Sequence, residues 1–285
     1  SIVIIDDILL DPNRTFVNDW LLRSNELKTY CLAHGQNTYL NLWHDKRDIF
    51  KKSNKSNSTF IVYSPSVNHS KYLQEHHVGL KTVSIGNTRF DRAWVLEESK
   101  CISHQAYQKN SEFDTKILFV MSKLEYGQDA NQVRNFINDL ISISEIALCL
   151  KPHTRGMNIS NLNINYQNNI AVEYDIDTSD LIDWADIVVF TGSSIIFEAI
   201  VKQKKILFLK NLQKYQTIFD ELPNSMILNN GDCVFDKLKI LINKEINFKF
   251  DDFLLEHAFC GRVGGVVCKE FTDKILKISL KPKDS

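Results

Sequence analysis

Short apolar runs alternate with amphipathic helical patterns through most of the second half of the chain. Strands of a parallel sheet are apolar along their whole length because helices cover both faces, and a helix usually forms the crossover between them. The alternation therefore predicts a doubly wound α/β domain. Its predicted strands are Lys116–Met121, Ile146–Leu150, Ile170–Tyr174, Ile187–Phe190 and Ile206–Leu209, and its predicted helices are Ala130–Ser144, Ser179–Trp184 and Ser194–Lys202.

The first part of the chain repeats this pattern and predicts a second Rossmann-like domain. The polar stretch Arg92–Asn110 lacks strand periodicity, so we place a linker near residue 110 and predict domains at residues 1–110 and 111–285, facing each other across a cleft. Ser1 begins inside a strand-like run, and we expect the N-terminal domain to be incomplete. The predicted strands here are Ile2–Ile5, Lys28–Ala33, Phe60–Tyr63 and Lys81–Ile85, and the predicted helices are Arg14–Leu22 and Val67–Glu75.

Composition narrows the class of protein. A chain of 285 residues, 44% of them hydrophobic, is long enough to bury two cores. Its 34 Lys and Arg against 35 Asp and Glu give a net charge of -1, which argues against a dedicated nucleic-acid binder. The six cysteines form no C-x-x-C pair, so reduced thiols are favoured over disulfides or zinc, and we predict no metal site. No apolar run approaches the ~20 residues of a membrane span, and we expect a cytoplasmic protein or one at the periphery of the inner membrane.

Polar motifs follow four of the predicted strands. Because the carboxyl ends of parallel strands line the ligand-binding edge of a doubly wound sheet, these motifs are candidates for a binding site. They are His34-Gly35-Gln36-Asn37, Gly86-Asn87-Thr88-Arg89-Phe90-Asp91, Lys151-Pro152-His153-Thr154-Arg155-Gly156 and Gly192-Ser193-Ser194.

The turn at Gly192 is the most informative of the four. It joins the strand Ile187–Phe190 to a helix predicted to begin at Ser194. Unpaired amides at such a helix start bind phosphate, and the hydroxyls of Ser193 and Ser194 supply two further donors. The alternative is that Ser193 only caps the helix while the following apolar residues pack it against the sheet.

Taken together, these motifs resemble those of GT-B glycosyltransferases of bacterial surface-polysaccharide synthesis. Within that group the chain is similar to the CDP-glycerol glycerophosphotransferase family, and also to transferases that use CMP-linked sialic acid or Kdo. The residues that carry the resemblance are His34-Gly35, the segment Gly86–Asp91, Lys151-Pro152-His153, Ser193-Ser194, and Phe253-Leu254 ahead of Gly264-Gly265.

The resemblance implies an acceptor-side first domain and a second domain that binds the nucleotide donor. His34 is the candidate general base, since its pKa lies near neutrality, and Gly35 lets the backbone approach the acceptor. The alternative is that the His34 imidazole only makes hydrogen bonds within a turn.

We expect side chains, rather than a metal ion, to neutralise the negative charge on the leaving phosphate. Lys151, His153 and Arg155 are expected to compensate it, so no cofactor beyond the nucleotide-activated substrate is expected; the alternative is a solvated basic loop. Glu198 is expected to accept from ribose hydroxyls, or else it is a carboxylate favoured by the helix dipole.

Further, weaker candidates follow other strand ends. Arg89 and Asp91 either reach the ligands or pair with each other, and Ser122 and Lys123 follow the first strand of the second domain.

Three functions remain open on this reading. The preferred one is transfer of a sugar from a nucleotide-activated donor, with CMP-linked Kdo or sialic acid ahead of UDP or CDP donors, to a growing capsule, O-antigen or related lipopolysaccharide glycan. The glycan or a lipid-linked precursor is then the acceptor, and nucleic acid is not a partner. The alternatives are a polyol-phosphate transferase that uses CDP-glycerol, and a sugar-nucleotide epimerase or non-catalytic binding domain.

Overall fold

The computed structural model describes residues 2–6, 28–32, 38, 60–64, 66–67, 70–71, 74, 81–101, 107–110, 112–124, 127–153, 159–243 and 248–279. These residues divide between two compact units. The first unit comprises Ser1–Asn37, His44–Val95 and Lys249–Ser285, and the second comprises Thr38–Trp43 and Leu96–Phe248. Each unit has its own parallel sheet, so the α/β class predicted for the chain is confirmed.

The elements are numbered along the chain. The strands are β1 (Ile2–Asp6), β2 (Lys28–Leu32), β3 (Phe60–Ser64), β4 (Lys81–Ser84), β5 (Thr115–Val120), β6 (Ile146–Lys151), β7 (Ile170–Val172), β8 (Ile187–Phe190), β9 (Lys205–Leu209) and β10 (Ile227–Leu228). The helices are α1 (Arg92–Cys101), α2 (Ala130–Ile141), α3 (Thr178–Trp184), α4 (Ile196–Val201), α5 (Val234–Asn243), α6 (Phe250–His257) and α7 (Cys268–Ser279).

The sheet of the first unit contains the four strands predicted for it. Their order is β1-β2-β3-β4, and every neighbouring pair is parallel. The described residues of the predicted helix Val67–Glu75 are helical, and the predicted helix Arg14–Leu22 lies outside the described residues. On the sheet, the ring of Tyr63 meets that of Phe271 from α7 edge-on at 5.1 Å.

The stretch predicted as a linker begins with a helix, α1. Asp91 precedes this helix, and its Oδ1 accepts the amide hydrogens of Ala93 and Trp94 at 3.0 and 3.1 Å. An aspartate in this position satisfies amides that have no partner in the first turn of a helix. The residue predicted to reach a ligand or Arg89 is therefore a helix cap.

The last segment of the chain belongs to the first unit, which differs from the predicted boundary at residue 110. Asp91 explains part of this, because its Oδ2 accepts the amide hydrogens of Val267 and Cys268 at 2.6 and 2.7 Å. Gly86 adds a close approach, with φ at +89° and a backbone that leaves a Cβ only 2.9 Å from the carbonyl oxygen of Ala258. Contacts between residues about 170 positions apart leave no local signature in a sequence.

Asp91→Asn is expected to destabilise the protein by about 3 kcal/mol or more, because hydrogen bonds to a buried charged acceptor contribute about 1.5–3 kcal/mol each. Asp91 is only 2% exposed, and the amide nitrogen of asparagine would face backbone N–H groups that need an acceptor. Unfolding in denaturant measures the change. Asp251→Asn is the control, since Asp251 is an exposed partner of Arg92 in the same unit. Equal losses in the two variants would contradict the role of Asp91.

The sheet of the second unit has the strand order β10-β9-β8-β5-β6-β7, and all its neighbours are parallel. Strands β6 and β8 are buried along their whole length, as expected for strands covered on both faces. The predicted strand Ile187–Phe190 is β8 itself. Helix α2 corresponds to the predicted helix Ala130–Ser144, and its buried face consists of residues at helical spacing, namely Val133, Phe136, Ile137, Leu140 and Ile141.

Two further sequence predictions concern the cysteines and the membrane. Cys149, Cys233, Cys260 and Cys268 are unpaired, and burial raises the pKa of the Cys149 thiol to about 12. Cys149 is therefore the reduced core thiol that the sequence predicts. Among the described helices, none combines the length and the apolar character that crossing a bilayer requires.

Candidate functional site

The candidate site lies at the carboxyl edge of the second unit's sheet, where β5 and β8 are neighbours. From β5 the chain continues to β6 and β7 on one side, and β8 then begins the other side with β9 and β10. The loops after β5 and β8 therefore leave the sheet in opposite directions and open a crevice, which is where doubly wound folds bind ligands. The register pairs Val120 with Phe190, so Ser122 and Gly192 follow at corresponding positions.

Buried hydroxyls form the floor of this crevice. Thr191 is fully buried and donates from Oγ1 to Oγ of Ser122 at 3.0 Å, while Gln128 donates from Nε2 to the same Thr191 oxygen at 2.6 Å. Ser122 was predicted as a candidate, whereas Thr191 and Gln128 were not assigned a role. The three side chains tie the ends of β5 and β8 together.

The turn that follows Thr191 differs from the prediction in where its helix begins. Helix α4 starts at Ile196, two residues later than predicted, and has only six residues. Its N-cap position is Ile195, which offers no side-chain cap, so Ser193 does not cap the helix. A phosphate site here would therefore depend on the polar groups of the turn and not on the dipole of a long helix.

This turn carries polar groups without partners. None of the described hydrogen bonds uses the hydroxyls of Ser193 and Ser194 or the amides of Ser193, Ser194 and Ile195. Both serines are half-buried, and the amides of the next three residues are already bonded to the carbonyls of residues 193–195. Successive free amides and two hydroxyls form a concave set of donors suited to an anion.

The turn is held from both sides. Thr38, which groups with the second unit, donates from Oγ1 to the carbonyl of Gly192 at 2.7 Å, and its own carbonyl accepts the amide of Ile218 at 3.0 Å. In the loop after β5, Gly127 has φ at +84°, and a Cβ there would lie 2.9 Å from the ring of Tyr215. A side chain at position 127 would displace this loop.

Glu198 lies in the first turn of α4 and is 6% exposed. Its Oε1 is 3.1 Å from Nζ of Lys202, but the approach lacks hydrogen-bond geometry, so Oε1 is buried without a hydrogen bond. We treat the contact as an ion pair. The carboxylate keeps unused capacity to accept hydrogen bonds.

Lys151 is placed differently from its prediction. It is 4% exposed, and its Nζ donates to the carbonyls of Tyr174 and Ile176 at 2.7 and 2.6 Å. Burial lowers the pKa of this ammonium, although Asp177 and Asp175 oppose the shift. Lys151 thus fixes the loop after β7 instead of extending toward the turn at Gly192.

The remaining candidates are distributed as follows. His153 follows β6 and is half-buried, and Lys123 is half-buried beside Ser122. Arg89 is exposed in the first unit, with its guanidinium 5.8 Å from the Phe90 ring. His34, Gly35 and Arg155 lie outside the described residues.

Several solved enzymes have a similar structure. A UDP-GlcNAc 2-epimerase from Methanocaldococcus jannaschii, in complex with UDP-GlcNAc and UDP, matches with a TM-score of 0.60 and 14% identity over 95% of this chain and 75% of the epimerase chain. The wall teichoic acid polymerase TagF matches with a TM-score of 0.52 and 12% identity over 91% and 71%. An α,α-trehalose-phosphate synthase (UDP-forming) from Burkholderia vietnamiensis matches with a TM-score of 0.51 and 10% identity over 96% and 71%.

At these identities the likeness establishes the fold, which is the predicted GT-B fold. No protein-family model and no curated protein sequence matches the chain.

Proposed function

We propose that the turn Gly192–Ile195 binds the phosphate of a nucleotide-activated donor and that the chain is a glycosyltransferase. The observation that carries the proposal is the set of unpartnered serine hydroxyls and amides at the switch point between β5 and β8. An anion bound there would be held by backbone and hydroxyl donors without a dedicated cation. The shared fold supports the proposal, because the solved relatives include an epimerase bound to UDP-GlcNAc and UDP.

Six of the candidate residues have a role in this proposal. Ser193 and Ser194 bind the phosphate, and the carboxylate of Glu198 accepts hydrogen bonds from the ribose hydroxyls. His153 and Arg155 compensate the charge that develops on the leaving phosphate, and no metal ion takes part. In the first unit, His34 acts on the acceptor.

The reaction balances with these groups. The acceptor hydroxyl gives its proton to His34 while its oxygen forms a bond to the anomeric carbon. The bond from that carbon to the phosphate oxygen breaks, and the nucleotide leaves with the electron pair and the negative charge, which the donors of the turn stabilise. The proposed donor is a CMP-linked sugar such as Kdo or sialic acid, and the proposed acceptor is a surface glycan of the capsule or O-antigen type.

Two alternatives have specific support from the comparisons. The likeness to UDP-GlcNAc 2-epimerase favours epimerisation of a sugar nucleotide, and the likeness to a wall teichoic acid polymerase favours transfer of a polyol phosphate. A sugar transferase, an epimerase and a polyol-phosphate transferase give different products. A sugar transferase releases the free nucleotide together with a lengthened glycan. An epimerase releases no free nucleotide. A polyol-phosphate transferase releases the nucleotide together with a new phosphodiester.

The test begins with thermal unfolding of the protein in CMP, CDP, UDP and GDP. A ligand that binds only the folded state raises the melting temperature, by an amount that grows with its concentration over Kd. Activated donors of the base that binds are then incubated with the protein in EDTA and, separately, in Mg²⁺, and the products are identified by mass spectrometry. No shift with any nucleotide would contradict the proposal, and turnover only with Mg²⁺ would contradict the metal-independent mechanism.

A further inference from the structure

A buried lysine connects Glu198 to the neighbouring helix. The side chain of Lys202 is 5% exposed, and its Nζ lies 3.1 Å from Oε1 of Glu198. From α3, the same nitrogen is bonded to Oγ of Ser179 at 2.6 Å and to Oδ2 of Asp183 at 3.0 Å. A buried ammonium is costly unless it is paired, and two carboxylates from two helices pair this one.

The direction of these side chains relates the lysine to the candidate site. Side chains on a helix lean toward its N-terminus, so Lys202 reaches back along α4 to meet Glu198 four residues earlier. Glu198 itself leans toward the turn Gly192–Ile195. The ion pair therefore restrains the carboxylate through Oε1, and because Oε1 makes no hydrogen bond, the carboxylate keeps unused acceptor capacity.

We infer that Lys202 is a positioning residue that holds the Glu198 carboxylate to accept the two ribose hydroxyls of a bound nucleotide. The inference rests on the proposed nucleotide site. It adds that recognition of the ribose depends on an ammonium that itself contacts no part of the nucleotide. Ser179 and Asp183 hold this ammonium in turn, so α3 contributes to the site through Lys202.

The test compares whichever of CMP, CDP, UDP and GDP binds in the thermal screen with its 2′,3′-dideoxy counterpart, which lacks both hydroxyls. Wild-type protein is expected to bind the ribonucleotide about tenfold or more tightly than the dideoxy form, since these hydrogen bonds have a charged acceptor. Lys202→Met keeps the length of the side chain but removes the ammonium, and it is expected to reduce this preference to about twofold or less. Lys202→Arg keeps the charge and is expected to retain most of the preference. Isothermal titration calorimetry measures each affinity.

Lys204→Met is the matched control. Lys204 is a lysine two residues away that also ties to α3, through hydrogen bonds to the carbonyls of Asp183 and Ala185 at 2.8 and 2.9 Å. Its removal takes away a similar structural link without touching Glu198, so the ribose preference is expected to stay at the wild-type value. The preference is a ratio of two affinities of one sample, and partial unfolding of a variant leaves it unchanged.

The outcomes separate this inference from the proposed function. If wild-type protein binds none of CMP, CDP, UDP and GDP, the proposed function and the inference are both overturned. If it binds a nucleotide without a ribose preference, or if Lys202→Met keeps the preference, the inference is overturned while the nucleotide site stands. A loss of the preference in Lys204→Met as well would reduce Lys202 to a general structural role and overturn the inference.

Discussion

Replacing both Ser193 and Ser194 by alanine is expected to weaken nucleotide binding by about 1.5 to 3 kcal/mol for each hydroxyl that bonds to the phosphate. Both hydroxyls lack partners among the described hydrogen bonds, so their removal leaves no other protein group unsatisfied. The loss should appear in binding and not in stability, because neither serine caps α4. Calorimetric titration gives the affinity, and thermal unfolding without ligand gives the stability.

Ser142→Ala/Ser144→Ala is the control for this double variant. Both residues are exposed serines of the second unit near the end of α2, away from the crevice. They account for any general effect of replacing two hydroxyls. A folded Ser193→Ala/Ser194→Ala protein with wild-type affinity would remove the turn from the site.

The fold was predictable from the sequence to the extent that local patterns encode burial. Ile187–Phe190 has four apolar residues in a row, which a strand between two covered faces requires, and the structure places it at the centre of the second sheet. The apolar face of α2 was predictable for the same reason, since the period of a helix brings Val133, Phe136 and Leu140 together.

Contacts between distant parts of the chain could not be predicted in this way. Asp91 was grouped with site candidates because it ends a polar motif, although an aspartate before a helix is also a capping signal. That signal could have identified α1. The contacts of Asp91 with Val267 and of Thr38 with Gly192 join residues more than 150 positions apart, and no local pattern reports them.

Lysines show the same difference between local and tertiary information. Lys151 was chosen because a cation at a strand end suits a phosphate, but its ammonium is bound by the carbonyls of Tyr174 and Ile176. Lys202 received no role, although its spacing from Glu198 is that of a helical ion pair. The two lysines differ in the partners of their ammonium groups, which come from the loop before α3 for Lys151 and from α3 for Lys202. Only the folded chain determines these partners.

His34→Ala is expected to lower turnover on the order of 10²- to 10⁴-fold, while nucleotide affinity stays near that of the wild type. A general base acts on the acceptor hydroxyl, whereas the proposed donor contacts lie in the second unit. Steady-state kinetics on the donor identified by the nucleotide screen, with titration of the free nucleotide, measures both quantities.

The pH profile gives an independent test of the base. An imidazole accepts a proton only in its neutral form, so turnover of the wild type is expected to fall as the pH drops below about 6.5, the ordinary pKa of histidine. His34→Ala should lose this acidic limb along with its rate, whereas His76→Ala, the same change at a histidine outside the strand-end motifs, should keep both. A His34→Ala protein that binds nucleotide poorly but turns over each bound donor at the normal rate would instead make His34 a donor-binding or structural residue.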